Sequence, residues 1–348
     1  MRIVEESLLD DLQFALSGFP INLKSSTQLM LLVQRGLDKL PLPAGGETLH
    51  RWRALSLVAF HDLSLAKLYE GHTDALATLA EIGEQGTTTP GSVEKTWGLW
   101  AAESPSGRVT ITRLNDTEVQ LDGTKCWCSG AQTLSHGLLT AWHLDGSGPQ
   151  LVQVAMDQPG VQVFSDAWVA VGMSRSASVD VCFSRAKGQL VGKVGSYLSR
   201  PGFWQGAAGV AACWYGGALL LASALHEALA EPPAKSRGDF RLAAFGKVDL
   251  ALHTAAALIR DAAQWVDDNP LADASEVALR VRLGAEGCAK QVLDEAGRTL
   301  GAAAFCRNPR FAQAAADLPV FVRQSHAERD FAALANRVLL NPYQSWSL

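Results

Sequence analysis

The chain has 348 residues, 48% of them apolar and 19% charged, with a formal charge of −5 at pH 7. That length suggests two or three folding units or one large multi-layer unit, and the composition is ordinary for a globular protein. The acidic balance and scattered charges exclude a basic nucleic-acid face, and no run of eighteen apolar residues marks a membrane span.

From Met1 to about Gly86 the apolar residues recur at helical spacing, as in Ala54, Leu57, Val58, His61, Leu65 and Leu68. Asp62 or Ser64 is placed to start a fresh helix after His61. The N-terminus carries acidic residues and no long apolar run, so no signal peptide and a cytoplasmic location are expected. Gln85 to Gly91 reads as a connection. From Trp97 to about Val191 the period falls to two. Val109–Arg113, Val119–Asp122, Leu151–Ala155, Val161–Phe164 and Val179–Phe183 alternate between Gly- and Asp-rich turns. Such short strands imply an antiparallel sheet or barrel. From about Ser199 to Leu340 helical spacing returns. Arg200-Pro201 fits a helix start, and Glu231-Pro232-Pro233 fits a break. Further helices are expected over 239–267, 272–300 and 317–338, with Asp317 capping the last and Pro319 in its first turn. The expected units are a helical domain over 1–90, a β domain over 91–195 and a helical bundle over 196–348. Together they make an α+β chain.

The six cysteines are Cys126, Cys128, Cys182, Cys213, Cys288 and Cys306. Most stand in apolar contexts and read as buried free thiols. Regular alternation puts Cys126 and Cys128 on one strand face. No second Cys or His pair supplies metal-ligand spacing, so no metal site is expected.

One short run concentrates the chemistry. Asp122-Gly123 turns the chain into Lys125-Cys126-Trp127-Cys128, which breaks at Ser129-Gly130. Strand alternation places Trp127 and Ser129 on the same face. An indole is a flat wall for an aromatic ring, and a hydroxyl bonds a polar ring edge. That pairing suits a flavin. On the residues alone, a core tryptophan followed by a turn serine is the more ordinary reading.

Gly123 to Ala131 resembles the run G-x-K-x-W-x-[ST]-[NG]-[GA] in the middle domain of acyl-CoA dehydrogenases. The resemblance runs from about residue 50 to 338. It implies an N-terminal helical domain, a middle antiparallel β-barrel domain and a C-terminal helical bundle. It also implies FAD, with Trp127 stacking near the ring and Ser129 bonding near its N5 edge. Trp97 to Pro105 resembles an earlier strand whose backbone touches the flavin, which puts Ala101 and Ala102 there. Val171 to Phe183 resembles a run whose last serine, here Ser178, lines the ligand cleft. Ser199 to Val210 resembles the first bundle helix, with Arg200 near the substrate. Gly206 and Gly209 there permit close approach of a ligand or of another helix. Arg237 and Phe240 resemble an R-x-x-F pair that reaches the FAD of a neighbouring subunit. Arg298 to Phe305 resembles a Q-x-x-G-G-x-G-[YF] loop that touches FAD through Gly301, with Arg298 replacing Gln and Ala302 and Ala304 replacing glycines. A homodimer or homotetramer is implied.

In the family a glutamate removes the substrate's α proton. Here the aligned position is Ala332, and the second position some members use is Ser199. His326, Glu328 and Asp330 are the nearby base candidates, with His326 and Asp330 four apart on one expected helix. The same residues also read as a solvated surface turn. The leading expectation is FAD-dependent α,β-oxidation of an acyl thioester, borne by CoA or a carrier protein. An electron-transfer flavoprotein would take the electrons. The alternatives are a flavin-dependent monooxygenase of the same fold, or a homologue that lost catalysis.

Overall fold

The computed structural model describes residues 2–20, 22–83, 95–230, 238–340 and 346. The expected connection at 85–91 and the break at 231–233 lie outside the described residues.

Helices α1 (Arg2–Ser17), α2 (Ser25–Gln34), α3 (Thr48–His61) and α4 (Leu63–Ile82) come first. Asp62 separates α3 from α4. Its backbone is extended, and its carboxylate accepts from Leu65 N at 2.6 Å, which caps α4. Leu65, Leu68, Tyr69, His72 and Leu79 recur at intervals of three, one, three and seven residues along α4 and are buried.

The strands are β1 (Trp97–Trp100), β2 (Val109–Arg113), β3 (Glu118–Cys128), β4 (His136–His143), β5 (Pro149–Ala155), β6 (Val161–Phe164) and β7 (Val179–Val191). Pairings β4–β2–β3–β7–β5–β4 close a barrel, with β1 added to β4 and β6 to β7. The β1–β4 and β2–β4 pairs are parallel, unlike the wholly antiparallel expectation; the other pairs are antiparallel. Sequence alternation missed β4 because both its faces are covered. Leu139 and Ala141 face the main core, while Leu138 joins a second cluster with Leu79, Trp97 and Leu151. A strand buried on both sides has no polar face to reveal its period.

After the short helix α5 (Ser196–Ser199) come α6 (Gly202–Ala230), α7 (Asp239–Asp268), α8 (Ser275–Leu300), α9 (Ala302–Arg307), α10 (Pro309–Phe321) and α11 (Glu328–Val338). α6 packs between α3 and α8. Its small residues serve that packing: a Cβ at Gly209 would touch Trp52, and one at Gly216 would strike the carbonyl of Ser56. α6 and α7 are long and apolar enough to span a membrane, but α6 is mostly buried inside the bundle.

The expected helix over 317–338 is two helices. Asn308 caps α10, accepting from Phe311 N at 3.0 Å, so Pro319 lies inside α10 and Asp317 is no cap. A 3-10 turn at Val322–Gln324 and the left-handed backbone of Ala327 (φ 49°) separate α10 from α11. Pro319 lacks the N–H that would extend α10, and the helix ends two residues later.

Candidate active site

The β3–β7 ladder shifts register once between Leu121↔Ala186 and Asp122↔Ser184, runs on to Lys125↔Val181, and resumes at Cys128↔Val179. Cys126 and Trp127 therefore oppose the single residue Asp180, which is a β-bulge. Trp127 sits there in the left-handed region (φ 60°), its N–H donating to Asp180 Oδ1 at 3.3 Å. The bulge breaks the alternation on which the sequence reading relied. Trp127 and Ser129 are not same-face neighbours on a regular strand, and Cys126 and Cys128 do not share a face. Cys128 belongs to the core, whereas Cys126 Sγ lies 3.8 Å from Ser106 Oγ. All six cysteines are free thiols. What the bulge achieves is presentation: the Trp127 indole stands 51% exposed between the buried residues Cys126 and Cys128.

Ser129 lies in the turn that follows. Gly130 N donates to the carbonyls of Ser176 and Ala177 at 2.9 and 3.1 Å. A Cβ at Gly130 would come within 2.7 Å of Leu134 and 2.9 Å of Leu68 on α4, so only glycine lets the turn close there. This contact brings Ser129 to Ser178, with the two Oγ atoms 2.7 Å apart. Ser178 Oγ is 2.9 Å from Ser176 Oγ, which donates to Met173 O at 2.6 Å. Sequence reasoning found Ser129 and Ser178 but not Ser176; the run Ser174-Arg175-Ser176-Ala177-Ser178 held the signal. The turn carrying these serines has left-handed residues at both ends, Met173 (φ 59°) and Ala177 (φ 45°). It is anchored to the bundle where Met173 N donates to Asp317 Oδ1 at 2.5 Å.

The segment after β1 is fixed beside the same turn. Trp100 Nε1 donates to Ser129 O at 3.0 Å. Buried Lys125 donates to Glu103 Oε1 and Thr140 Oγ1, each at 2.8 Å, and to Thr140 O at 3.1 Å. Burial pushes the Glu103 carboxyl up, but donors on Lys125, Thr140 and Trp142 hold it below its ordinary range. Ala101 and Ala102 thus sit on a tethered stretch, Ala101 half-buried and Ala102 exposed.

The C-terminal candidates converge only in part. His326 precedes α11 and does not share a helix face with Asp330. The two still meet: Asp330 accepts from His326 N at 3.0 Å, and His326 Nδ1 lies 3.4 Å from Asp330 Oδ1. His326 is 61% exposed, and Glu328 is exposed in the first turn of α11. Arg282, which sequence reading missed, is buried beneath this turn. It donates to Gln324 O at 2.9 Å and to Ala207 O at 2.8 Å and lies over the Trp214 ring. Burial lowers its pKa against the opposing charges of Asp330, Glu70 and Glu286. An arginine at a buried position of an amphipathic helix was the available signal.

The remaining candidates stand apart. Arg200 is buried and donates to Glu81 Oε2 at 2.5 Å, which gives it a structural partner. Arg237 lies outside the described residues. Phe240 is 94% exposed at the start of α7. Gly301, between α8 and α9, has open space around it, so the neighbouring Ala302 is exposed rather than packed. Arg298 pairs with Asp294 and Glu295 at 3.0 Å each, so local acids already hold its guanidinium. Among the described residues no cluster of His, Cys, Asp or Glu could hold a metal ion.

A half-exposed indole beside a turn that carries a half-buried serine fits the ring of a flavin.

Solved structures match this fold along nearly its whole length. The dibenzothiophene monooxygenase TdsC from Paenibacillus sp. A11-2, in complex with FMN and indole, superposes with a TM-score of 0.81 at 19% identity, over 96% of this chain and 97% of that one. KijD3, in complex with FMN and a dTDP-linked amino-keto sugar, gives 0.78 at 19% identity over 97% and 93%. The methanesulfinate monooxygenase MsuC from Pseudomonas fluorescens gives 0.78 at 17% identity over 96% and 97%. No family model and no curated protein matches the sequence. The chain therefore has the acyl-CoA dehydrogenase-type fold, helices then barrel then helical bundle, that the Trp127 run implied.

Proposed function

We propose that this protein is a flavin-dependent oxidoreductase, and more finely a monooxygenase that works with FMN. The observation that carries the reading is the bulge at Trp127, which presents an exposed indole next to Ser129 and Ser178. Two further observations support the finer reading. Thioester α-proton abstraction needs a carboxylate aimed at the substrate, but Asp330 is turned to the backbone and ring of His326. His326, 61% exposed, offers an imidazole suited to moving a proton at a ligand oxygen or nitrogen. TdsC and KijD3 are complexes with FMN, a cofactor without adenine. That accords with an Arg298 already engaged by acids.

In this reading Trp127 stacks on the ring, Ser129 bonds its polar edge, and His326 with Asp330 handles protons. A bound flavin supplies the electrons. The test is the absorption spectrum of purified protein titrated with FMN and FAD, followed by anaerobic reduction and re-exposure to oxygen. A yellow complex whose reoxidation depends on a co-substrate supports the proposal. Anaerobic bleaching by an acyl-CoA would replace it with the acyl-thioester dehydrogenase reading. In that case FAD and an electron-transfer flavoprotein return as cofactor and partner. A protein that binds neither flavin is a non-catalytic homologue.

A further inference from the structure

Protons along the three serine hydroxyls have a fixed direction, because one end of the chain is a carbonyl. Met173 O has no hydrogen to give, and it lies 2.6 Å from Ser176 Oγ. Two oxygens that close repel unless a proton lies between them, so Ser176 donates to Met173. Ser176 has only one hydroxyl proton. At its 2.9 Å contact with Ser178 it must therefore accept. Ser178 has then committed its own proton and must accept from Ser129 across 2.7 Å. Ser129 is left with lone pairs and no proton for anything outside the protein. The opposite polarity would leave Ser176 and Met173 O in contact with no hydrogen between them. Ser176 is fully buried and Ser178 nearly so, so water does not relax the order from inside.

We propose that Ser176, acting through Ser178, locks Ser129 as a hydrogen-bond acceptor toward the ligand, and that the site thereby selects the reduced flavin. This rests on the flavin reading above. The reason is chemical. In oxidised flavin N1 and N5 only accept hydrogen bonds. Reduction places a hydrogen on N5, which then donates. An acceptor-only hydroxyl at that edge repels the oxidised ring and bonds the reduced one. Ser176 is a positioning residue: it touches no ligand and works by orienting the next two hydroxyls.

The test compares affinities of the full chain for oxidised FMN and, anaerobically, for reduced FMN, together with the midpoint potential of the bound flavin. The wild type is expected to prefer reduced FMN by about tenfold, which raises the two-electron midpoint potential by ~30 mV over free FMN. Ser176→Ala frees Ser178 to donate toward Ser129 and Ser129 to donate outward, so the preference falls toward one. Ser178→Ala releases Ser129 directly and gives the same result at a residue nearer the surface, in case Ser176→Ala folds poorly. A purely structural role would lower thermal stability without changing the ratio of affinities. Equal wild-type affinities, or a preference unchanged in both variants, overturn the inference alone. Failure to bind either form overturns the flavin reading beneath it.

Discussion

Trp127 holds a left-handed backbone conformation, which costs a non-glycine residue on the order of 1 kcal/mol. Its indole is half in solvent and returns little of that cost through packing. Trp127→Gly relieves the strain while adding unfolded-state entropy, so the stability of the flavin-free protein should change by less than about 0.5 kcal/mol. Flavin affinity should fall by about tenfold or more, since the stacking surface is gone. Chemical unfolding and flavin titration of the same variant check both halves; a large loss of stability with unchanged affinity would make Trp127 a structural residue. His326 is the other residue with an uncluttered test. It is largely exposed, and its backbone N–H, which holds Asp330, survives substitution. His326→Ala should leave the melting temperature and flavin binding unchanged and lower turnover by about 10²-fold or more. Turnover within twofold of wild type would remove His326 from the chemistry.

The element most informative about the site is α10, through Asp317. Burial raises the pKa of Asp317, against hydrogen bonds from Met173 N and Gln313 that favour its charged form. A carboxyl with a raised folded-state pKa binds its proton more readily folded than unfolded. Its contribution to stability is therefore lost as pH rises from the ordinary Asp value, about 3.9, through the raised value. Asp317→Asn keeps an acceptor for Met173 N and removes the buried charge. Relative to wild type it should gain stability as pH rises through that window and be no less stable at pH 7. Asp317→Ala leaves the buried Met173 N–H unpaired and should cost about 1–3 kcal/mol. Unfolding curves between pH 4 and 8 for both variants decide this; parallel pH profiles for wild type and Asp317→Asn would contradict it. The sequence displayed Asp317 as a helix cap, because Asp followed by Pro is a frequent helix start. The true cap, Asn308 directly before Pro309, offers a similar signal nine residues earlier, and propensity cannot choose between them. The pairing of His326 with Asp330 was read from their spacing on one helix, yet the pair forms across the start of α11.

For the whole molecule, the order of helices, strands and helices was legible because each region keeps one hydrophobic period over many residues. What escaped was whatever depends on non-local pairing. The parallel β4 contacts, the bulge at Trp127 and the approach of Ser176 to Ser129 involve partners tens of residues apart, and no local pattern encodes them. The oligomeric state is a prediction at this scale. α7 is long and apolar, yet little of its most apolar stretch is buried, and Phe240 and Leu250 stand open on it. A second copy of this chain covering that face would bury it, as the Arg237 and Phe240 resemblance implies. Sedimentation at micromolar concentration should find a dimer or tetramer, and Leu250→Glu should shift it toward monomer. A wild-type monomer under those conditions would contradict the prediction.

Trp100 links two positions that lie far apart in sequence. Gly98 and Gly137 face each other in the β1–β4 ladder, and the Trp100 ring lies over both. A Cβ at Gly98 would stand 2.5 Å from that ring, and one at Gly137 would collide with its far edge. The same indole holds the carbonyl of Ser129. Descendants of this sequence cannot change any of the three freely. A larger residue at 98 or 137 becomes acceptable only after position 100 has shrunk, and that step itself releases the serine turn. Drift should therefore keep the trio intact where the proposed flavin face is in use, and scatter all three together in lineages where it has been abandoned.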